Sequence, residues 1–152
     1  MTDDIKGLRR ILKECKTIAM VGLSQKWNRP SNYAAKYLLL HGYEVIPVTP
    51  TYEEVLGQKC YGSILDIPKK VDVVDCFRKP EEIPKLAKDA VKIGAKVLWM
   101  QLGIVNEEAR KIAEDAGLEV VMNRCMKIEH GRIFGGISFL GVNTSVITSK
   151  KQ

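Results

Sequence analysis

The chain has 152 residues, of which 45% are hydrophobic and 28% are charged, a balance typical of one globular domain that forms a core without metal or disulfides. Its formal net charge of +6 permits an anionic partner without identifying one. The longest apolar stretch, residues 95–105, is too short to span a bilayer, and no signal-peptide pattern is visible at the start. We therefore expect a cytoplasmic protein with no membrane partner.

Metal-binding and disulfide-rich classes are disfavoured by the cysteine and histidine spacing. Four cysteines and two histidines are scattered along the chain without a C-x-x-C pair, namely Cys15, Cys60, Cys76, Cys125, His41 and His130. This pattern matches neither a zinc site nor a disulfide framework, and single cysteines suit a reducing compartment. No metal ligands are predicted.

Helices and strands alternate along the predicted chain. A first helix, capped by Thr2 or Asp3, carries apolar residues at helical spacing, and later helices are predicted at residues 30–40, 80–93 and 106–116. Predicted strands begin near residues 17, 43, 71, 96 and 118, and the second is weakened by Pro47. Residues 49–68 are predicted to be irregular, with one helical turn at residues 52–56.

This alternation predicts the α/β class. Strands recurring at intervals of about 25 residues with intervening helices indicate a Rossmann-like three-layer fold with a mostly parallel sheet of about five strands. The first expectation for the strand order is 3-2-1-4-5. Residues 1–130 are expected to form this domain, and residues 131–152 a C-terminal tail that is either an extra strand or partly mobile.

Basic residues follow several of the predicted strands. Ligands of open parallel sheets bind beyond the carboxyl ends of the strands. Six cations are expected to converge on that edge and to suit a phosphorylated ligand: Lys26, Arg29, Arg78, Lys79, Arg124 and Lys127. Lys85, Lys88 and Lys92 recur at helical spacing and are instead expected to form a solvated helix face.

The loop after the first strand departs from the dinucleotide fingerprint. Gly22 is followed by Leu23 and Ser24 rather than by a second glycine, and no acidic residue ends the second strand. A conventional NAD dehydrogenase is therefore disfavoured. Backbone N–H groups, the Ser24 hydroxyl and the next helix N-terminus can still bind phosphate, while Val48 and Pro50 can border an adenine.

Several segments resemble the small CoA-binding proteins related to the N-terminal domain of the succinyl-CoA synthetase α subunit. The resemblance extends from residue 17 to about residue 127, through Val-Gly-Leu-Ser (21–24), Arg-Pro-Ser (29–31), Gly-Tyr-Glu-Val-Ile-Pro-Val (42–48), Pro50, Asp-Ile-Pro (66–68), Val-Asp-Val-Val-Asp (71–75), Phe-Arg (77–78), Trp-Met-Gln-Leu-Gly (99–103), Ala-Gly (116–117) and Asn-Arg-Cys (123–125). No single motif is decisive, but their order and spacing make the similarity strong.

The resemblance implies a Rossmann-like fold that binds coenzyme A or an acyl-CoA. It implies phosphate contacts from the loop at residues 24–27 and contacts from residues 100–102. The synthetase has a lysine where this chain has Tyr52, so Arg29, Arg78 or Lys79 is expected to hold the 3′-phosphate. Together with the strand-end argument, the candidate cofactor-binding residues are Gly22, Ser24, Gln25, Lys26, Trp27, Arg29, Pro50, Phe77, Arg78, Lys79, Met100, Gln101, Leu102, Gly103 and Cys125.

Catalytic residues are not predicted. The related synthetase uses a phosphorylated histidine in a second domain, whereas His41 and His130 are interpreted as structural or exposed. Asp72 and Asp75, three residues apart in a strand, lie on opposite faces and do not form a catalytic pair. Trp99 is expected in the core, and Trp27 either in the core or against the ligand.

Cys125 carries the most specific chemical hypothesis. Arg124 and Lys127 are expected to lower the pKa of its thiol and to favour a mixed disulfide with CoA. The alternative is a buried, inert thiol.

Three functions remain open on the sequence. The first is a noncatalytic carrier or sensor of CoA or acyl-CoA, a monomer or homodimer that binds no nucleic acid. The second is a CoA-dependent ligase or transferase component completed by a partner chain. The third, a nucleic-acid binder, is suggested by the charge of +6 but lacks a recognisable motif.

Overall fold

The fold is described from a computed structural model, which describes residues 1–135. It comprises five α-helices and seven strands: α1 (Ile5–Glu14), β1 (Thr17–Val21), α2 (Pro30–Leu40), β2 (Glu44–Val48), β3 (Glu54–Val55), β4 (Gln58–Lys59), β5 (Val73–Cys76), α3 (Ile83–Lys92), β6 (Val97–Met100), α4 (Glu107–Asp115), β7 (Glu119–Val121) and α5 (Met126–Phe134). Short 3₁₀ helices span Ile64–Asp66 and Pro80–Glu82.

The central sheet has five strands, all pairing in parallel, and the predicted α/β class is confirmed. Alternate strand residues pack on opposite faces. Ile18 and Met20 of β1 face α1, α2 and α5, whereas Ala19 and Val21 face α3 and α4. Both faces are thus covered, which gives the three-layer Rossmann-like arrangement.

The strand order differs from the expected 3-2-1-4-5. It is β2-β1-β5-β6-β7, so the third strand of the sheet pairs with β1 instead of lying outside β2. The outer edge of β2 is occupied by Tyr61, whose backbone N–H donates to Pro47 O at 3.0 Å and whose carbonyl accepts from Thr49 N at 2.8 Å. Pro47, which has no backbone N–H, turns its nitrogen toward this same outer edge. Its presence in β2 therefore costs no hydrogen bond between β2 and β1.

Residues 52–56 do not form the predicted helical turn. They belong to an antiparallel hairpin of β3 and β4, in which Glu54 pairs with Lys59 and Val55 with Gln58. Leu56 and Gly57 form the connection with φ of 53° and 77°, the positive-φ pair that a tight two-residue hairpin turn requires. The glycine at the second position is the local signal for this turn.

The start of α1 also differs from the prediction. Asp4, rather than Thr2 or Asp3, is the N-cap residue. Thr2 donates its backbone N–H to Val120 O at 2.8 Å, and Asp3 pairs with Arg124. Contacts with β7 and the following loop, distant in sequence, therefore hold both residues outside the helix.

α5 follows β7 in a region where no helix is predicted from the sequence. Gly131 lies inside this helix, at a cost of roughly 1 kcal/mol relative to alanine, but Met126 is fully buried against the α1 and α2 layer. Tertiary packing thus overrides local propensity. Residues 131–134 continue α5, and residues 136–152 of the predicted tail lie outside the described residues.

Candidate functional site

The central crevice of the sheet lies where the strand order reverses, between β1 and β5. β1 leads to α2 on one face, and β5 leads to α3 on the other. The connections therefore leave a crevice beyond the carboxyl ends of these strands, the position where ligands of such sheets bind. Three pockets lie along it.

The loop pocket has a volume of about 310 Å³ and is lined by Gly22, Ser24, Lys26, Arg29, Pro30, Ser31, Tyr52 and Phe77. The proline pocket has a volume of about 550 Å³ and is lined by Val21, Gly22, Val48, Thr49, Pro50, Gly62, Ser63, Ile64, Arg78, Glu81, Glu82, Lys85, Leu86 and Asp89. The apolar pocket has a volume of about 450 Å³ and is lined by Pro30, Tyr33, Phe77, Arg78, Gln101, Leu102, Ile104, Cys125, Lys127 and Ile128. The three pockets adjoin one another, because each pair of them shares at least one lining residue.

The β1–α2 loop is folded around Ser24. The Ser24 backbone N–H donates to Ser31 Oγ at 3.0 Å, the Ser24 carbonyl accepts from Asn32 Nδ2 at 2.8 Å, and the Ser24 hydroxyl oxygen accepts from Lys26 N at 3.1 Å. Leu23 anchors the loop in the core. The loop is thus preorganised at the first turn of α2, where the helix dipole favours an anion.

Gly22 allows the two loops of the crevice to approach each other. Its φ is +93°, and a Cβ there would lie 2.5 Å from the carbonyl oxygen of Phe77 and 3.0 Å from Arg78 Cδ. A side chain would therefore collide with the backbone after β5.

The six predicted basic residues differ in how their charges are paired. Arg78 forms two hydrogen bonds with Glu82, at 2.9 and 3.2 Å. Arg124 pairs with Asp3 and with Glu129. The other four have no ion-pair partner among residues 1–135, and two of these, Lys26 and Arg29, line the loop pocket.

Pro50 lies in a second part of the crevice. It lines the proline pocket together with Val48, as the predicted border of an adenine requires.

Lys79 precedes the 3₁₀ helix at residues 80–82 and is exposed. Lys85, Lys88 and Lys92 are also exposed, as predicted for a solvated face of α3.

The predicted site residues around the turn after β6 differ in whether they line the crevice. The side chain of Met100 is fully buried in the core, so it does not face the crevice. Gln101 and Leu102 line the apolar pocket. Gly103 has φ +86° and donates its N–H to Asn123 Oδ1 at 2.6 Å, which joins this turn to the loop after β7.

Cys125 is partly buried, and the pKa of its thiol is raised, contrary to the prediction. Burial is the largest cause, and the Asp75 charge adds to it. The backbone N–H groups of Ile128 and Lys127, with the Lys127 charge, oppose it less strongly. Arg124 was expected to lower the pKa of this thiol, but its charge is already neutralised by two carboxylates, those of Asp3 and Glu129. The environment therefore favours the thiol over the thiolate.

The two tryptophans have different surroundings. Trp99 is fully buried and donates Nε1–H to Arg124 O at 2.7 Å, so it supports the loop that carries Cys125. Trp27 is 70% exposed and lies outside the three pockets described. Its neighbour Gln25 is also exposed and donates to Glu54 O at 3.4 Å. The structure thus does not bring Trp27 and Gln25 into the crevice.

Asp72 and Asp75 lie apart, as the strand geometry predicts. Asp72 accepts from the backbone N–H groups of Lys16 and Thr17 at the start of β1. Asp75 is fully buried and accepts from Gln101 Nε2 at 2.5 Å, and burial raises its pKa to about 7. Asp75 thus orders the turn after β6.

The histidines are separated in sequence but close in space. His41 and His130 have ring centroids 5.0 Å apart, and His130 Nδ1 lies 2.9 Å from the Tyr37 hydroxyl. Burial is the largest cause of the lowered pKa of His130. Neither histidine lines the three pockets described, in agreement with their structural interpretation.

Three residues that line the apolar pocket were missed by sequence reasoning: Tyr33, Ile104 and Ile128. Tyr33 projects from the first turn of α2, and its position close to Pro30 was an available signal. Ile128 was not identifiable because α5 itself was not predicted.

Among residues 1–135, no group of three or more histidine, cysteine and acidic side chains is placed so that it could hold a metal ion. No helix in that same part of the chain is both long and apolar enough to cross a membrane.

Sequence comparison identifies related proteins of two sizes. The profile of a family described as a CoA binding domain matches residues 16–131. YneT, an uncharacterized protein of Bacillus subtilis, is 40% identical over 123 residues, which cover 81% of this chain and 91% of YneT. The ADP-forming acetate–CoA ligase II of Archaeoglobus fulgidus is 30% identical over 125 residues, which cover 79% of this chain but 18% of the ligase.

Solved structures show the same two sizes. A hypothetical protein from Pyrococcus horikoshii is 52% identical with a TM-score of 0.86, over 88% of this chain and 94% of that one. The apo form of the dinucleotide-forming acetyl-coenzyme A synthetase 1 of Candidatus Korarchaeum cryptofilum is 29% identical with a TM-score of 0.63, over 74% of this chain and 27% of that one. Relatives thus include chains largely covered by the match and much larger synthetases.

Proposed function

Because this chain belongs to the family of CoA binding domains, we propose that it binds coenzyme A and serves as a noncatalytic carrier or sensor of CoA or an acyl-CoA. When bound, coenzyme A supplies a thiol that carries acyl groups. We further propose that the protein acts in the cytoplasm as a monomer or homodimer. All four cysteines are free thiols, which suits a reducing compartment.

The loop pocket is the observation that carries this proposal. Lys26 and Arg29 line it without an ion-pair partner among the described residues, beside the N-terminus of α2. No acidic residue lines this pocket. Unpaired cations beside the Ser24 and Ser31 hydroxyl groups form a site for phosphate, and Arg29 can hold a phosphate through two hydrogen bonds.

The adjoining pockets fit the other parts of the same ligand. The proline pocket offers Val48 and Pro50 as an apolar border for adenine. The apolar pocket is lined by Leu102, Cys125 and Phe77, the last of which also lines the loop pocket, and it suits the pantetheine arm. A ligand with an aromatic base, phosphates and a long arm therefore has one adjoining pocket for each of its parts.

Calorimetry on nucleotide-free protein tests the proposal, with CoA, dephospho-CoA, NAD and ATP as ligands. We expect CoA to bind most tightly and dephospho-CoA to bind more weakly, because it lacks the 3′-phosphate that the basic residues hold. A failure to bind CoA, or tighter binding of NAD, would contradict the proposal.

Substitutions of Lys26 and Arg29 test the phosphate site directly. Loss of a charge-assisted hydrogen bond costs about 2 kcal/mol, which corresponds to roughly 30-fold weaker CoA binding for Arg29→Ala. Lys26→Ala is expected to have a smaller effect, since an ammonium makes no bidentate contact. Lys88→Ala, on the exposed face of α3, is the matched control, and an equal loss in this control would refute the site.

The second candidate is a ligase or transferase component that needs a partner chain. It is favoured by the match to 18% of the length of an ADP-forming acetate–CoA ligase. The test measures ATP formation from acetyl-CoA, ADP and phosphate, with this chain alone and together with a fragment of that ligase lacking the matched region. Activity that requires both components would favour this candidate over the noncatalytic carrier.

A further inference from the structure

Asp75 and Gln101 form a buried polar pair beneath the apolar pocket. Asp75 lies on β5, and Gln101 directly follows the adjacent strand β6. Both residues are buried, with exposures of 0% and 2%, and Gln101 Nε2 donates to Asp75 Oδ1 at 2.5 Å. The other carboxyl oxygen, Asp75 Oδ2, is buried without a partner among the described residues.

This pair determines which end of the Gln101 amide is available to a ligand. An ionised carboxylate accepts hydrogen bonds and donates none, so the amide nitrogen must be the end that turns toward Asp75. A proton on Oδ2 leaves Oδ1 able to accept, so this orientation holds in the ionised form and in the form protonated on Oδ2, whereas a proton on Oδ1 would reverse it. The carbonyl oxygen, Gln101 Oε1, is therefore the atom left for the apolar pocket, which Gln101 lines.

We propose that Asp75 is a positioning residue that holds the Gln101 amide with Oε1 toward the apolar pocket, where it accepts a hydrogen bond from an amide N–H of the pantetheine arm. The inference rests on the proposed binding of CoA and identifies how its arm is recognised. It assigns to Asp75 a role that needs no contact with the ligand.

The composition of the pocket explains why such an acceptor is needed. Tyr33, Phe77, Ile104 and Ile128 give most of its wall an apolar character. An amide N–H that enters such a pocket loses its water and is costly unless it finds an acceptor. A Gln101 side chain turned the other way would present an NH₂ group and would leave the N–H without a partner.

The test compares CoA with adenosine 3′,5′-bisphosphate, which keeps the adenosine, the 3′-phosphate and the first 5′-phosphate but lacks the second 5′-phosphate and the arm. In Gln101→Met, the acceptor is removed at similar size, and we expect CoA to bind about tenfold more weakly with unchanged binding of the bisphosphate. In Asp75→Asn, the two amide orientations are equally allowed, so half of the molecules present Oε1 and we expect about twofold weaker CoA binding, again with unchanged bisphosphate binding.

A double variant separates positioning from a general structural role. Because Asp75 acts through Gln101, Asp75→Asn is expected to have no further effect on CoA binding in the Gln101→Met background. An equal loss in both backgrounds, or a parallel loss of bisphosphate binding, would overturn the inference. If Asp75→Asn does not fold, an unchanged CoA affinity in Gln101→Met alone overturns it.

The same titrations distinguish this inference from the proposed function. Wild-type protein that binds neither ligand contradicts CoA binding itself. If the wild-type protein binds the bisphosphate as tightly as CoA, the phosphate site is retained but the pantetheine arm adds nothing to the affinity. That result would contradict the role proposed for Asp75.

Discussion

Replacement of Gly22 by alanine tests whether the close approach of the two crevice loops is required by the fold. The residue has φ +93°, and a Cβ would lie 2.5 Å from Phe77 O. Gly117 provides a matched control, because its φ is +91° and a Cβ there would meet nothing within 4 Å. Gly117→Ala therefore measures the cost of the backbone conformation alone, whereas Gly22→Ala adds the collision.

The expected magnitudes follow from these two contributions. A positive φ costs an alanine about 1–2 kcal/mol, and forcing an atom against packed backbone costs about 1–3 kcal/mol more. Gly22→Ala should thus lower the free energy of unfolding by about 3 kcal/mol and Gly117→Ala by about 1 kcal/mol. For a chain of this length, each kcal/mol lowers Tm by about 2–4 °C.

Urea unfolding followed by circular dichroism measures both free energies, and calorimetry with CoA measures binding by each folded variant. We expect weaker CoA binding in Gly22→Ala than in Gly117→Ala, because Gly22 borders both the loop pocket and the proline pocket. Equal destabilisation by the two substitutions would refute the collision with Phe77 O.

Three further predictions concern buried groups. Burial raises the pKa of Asp75 to about 7 in the folded state, so the protonated carboxyl stabilises the fold at low pH and this contribution is lost as pH rises through 7. Relative to Asp75→Asn, the wild-type free energy of unfolding should fall by about 2 kcal/mol between pH 5 and pH 7, and a pH-independent difference would contradict the assignment. The pKa of the Cys125 thiol is raised, so its alkylation by iodoacetamide should be slower at pH 7 than that of a small free thiol. Faster alkylation would support a thiolate at Cys125 and contradict this prediction. Trp99→Phe, which removes the 2.7 Å bond to Arg124 O, should destabilise the protein by about 2 kcal/mol in urea unfolding, whereas Trp27→Phe at a 70% exposed site should change stability by less than about 0.5 kcal/mol.

The loop after β1 illustrates what local sequence predicts well. Gly22 and Pro30 were assigned to a strand end and a helix start, and each occupies that place in the structure. A glycine after a buried strand and a proline at the first turn of a helix act through neighbouring backbone geometry, so a few adjacent residues suffice to identify them.

The pairing of charges illustrates what the local pattern leaves undetermined. Arg124 was grouped with Arg29 as a phosphate ligand, but Asp3, 121 residues away, neutralises it. The same long-range pairing leaves burial as the main influence on the pKa of Cys125. Partners this distant in the chain are brought together by the fold and carry no signal in sequence spacing.

The sequence by itself determined the alternation of helices and strands, the burial of the sheet on both faces and the edge on which the candidate site lies, because each depends on periodicity and on chain direction. Tertiary structure alone decided that β5 lies beside β1, since Tyr61 occupies the outer edge of β2. It also decided that α5 forms despite Gly131 and that Asp75 meets Gln101. These features depend on contacts between segments far apart in the chain, whose free energy exceeds local preference.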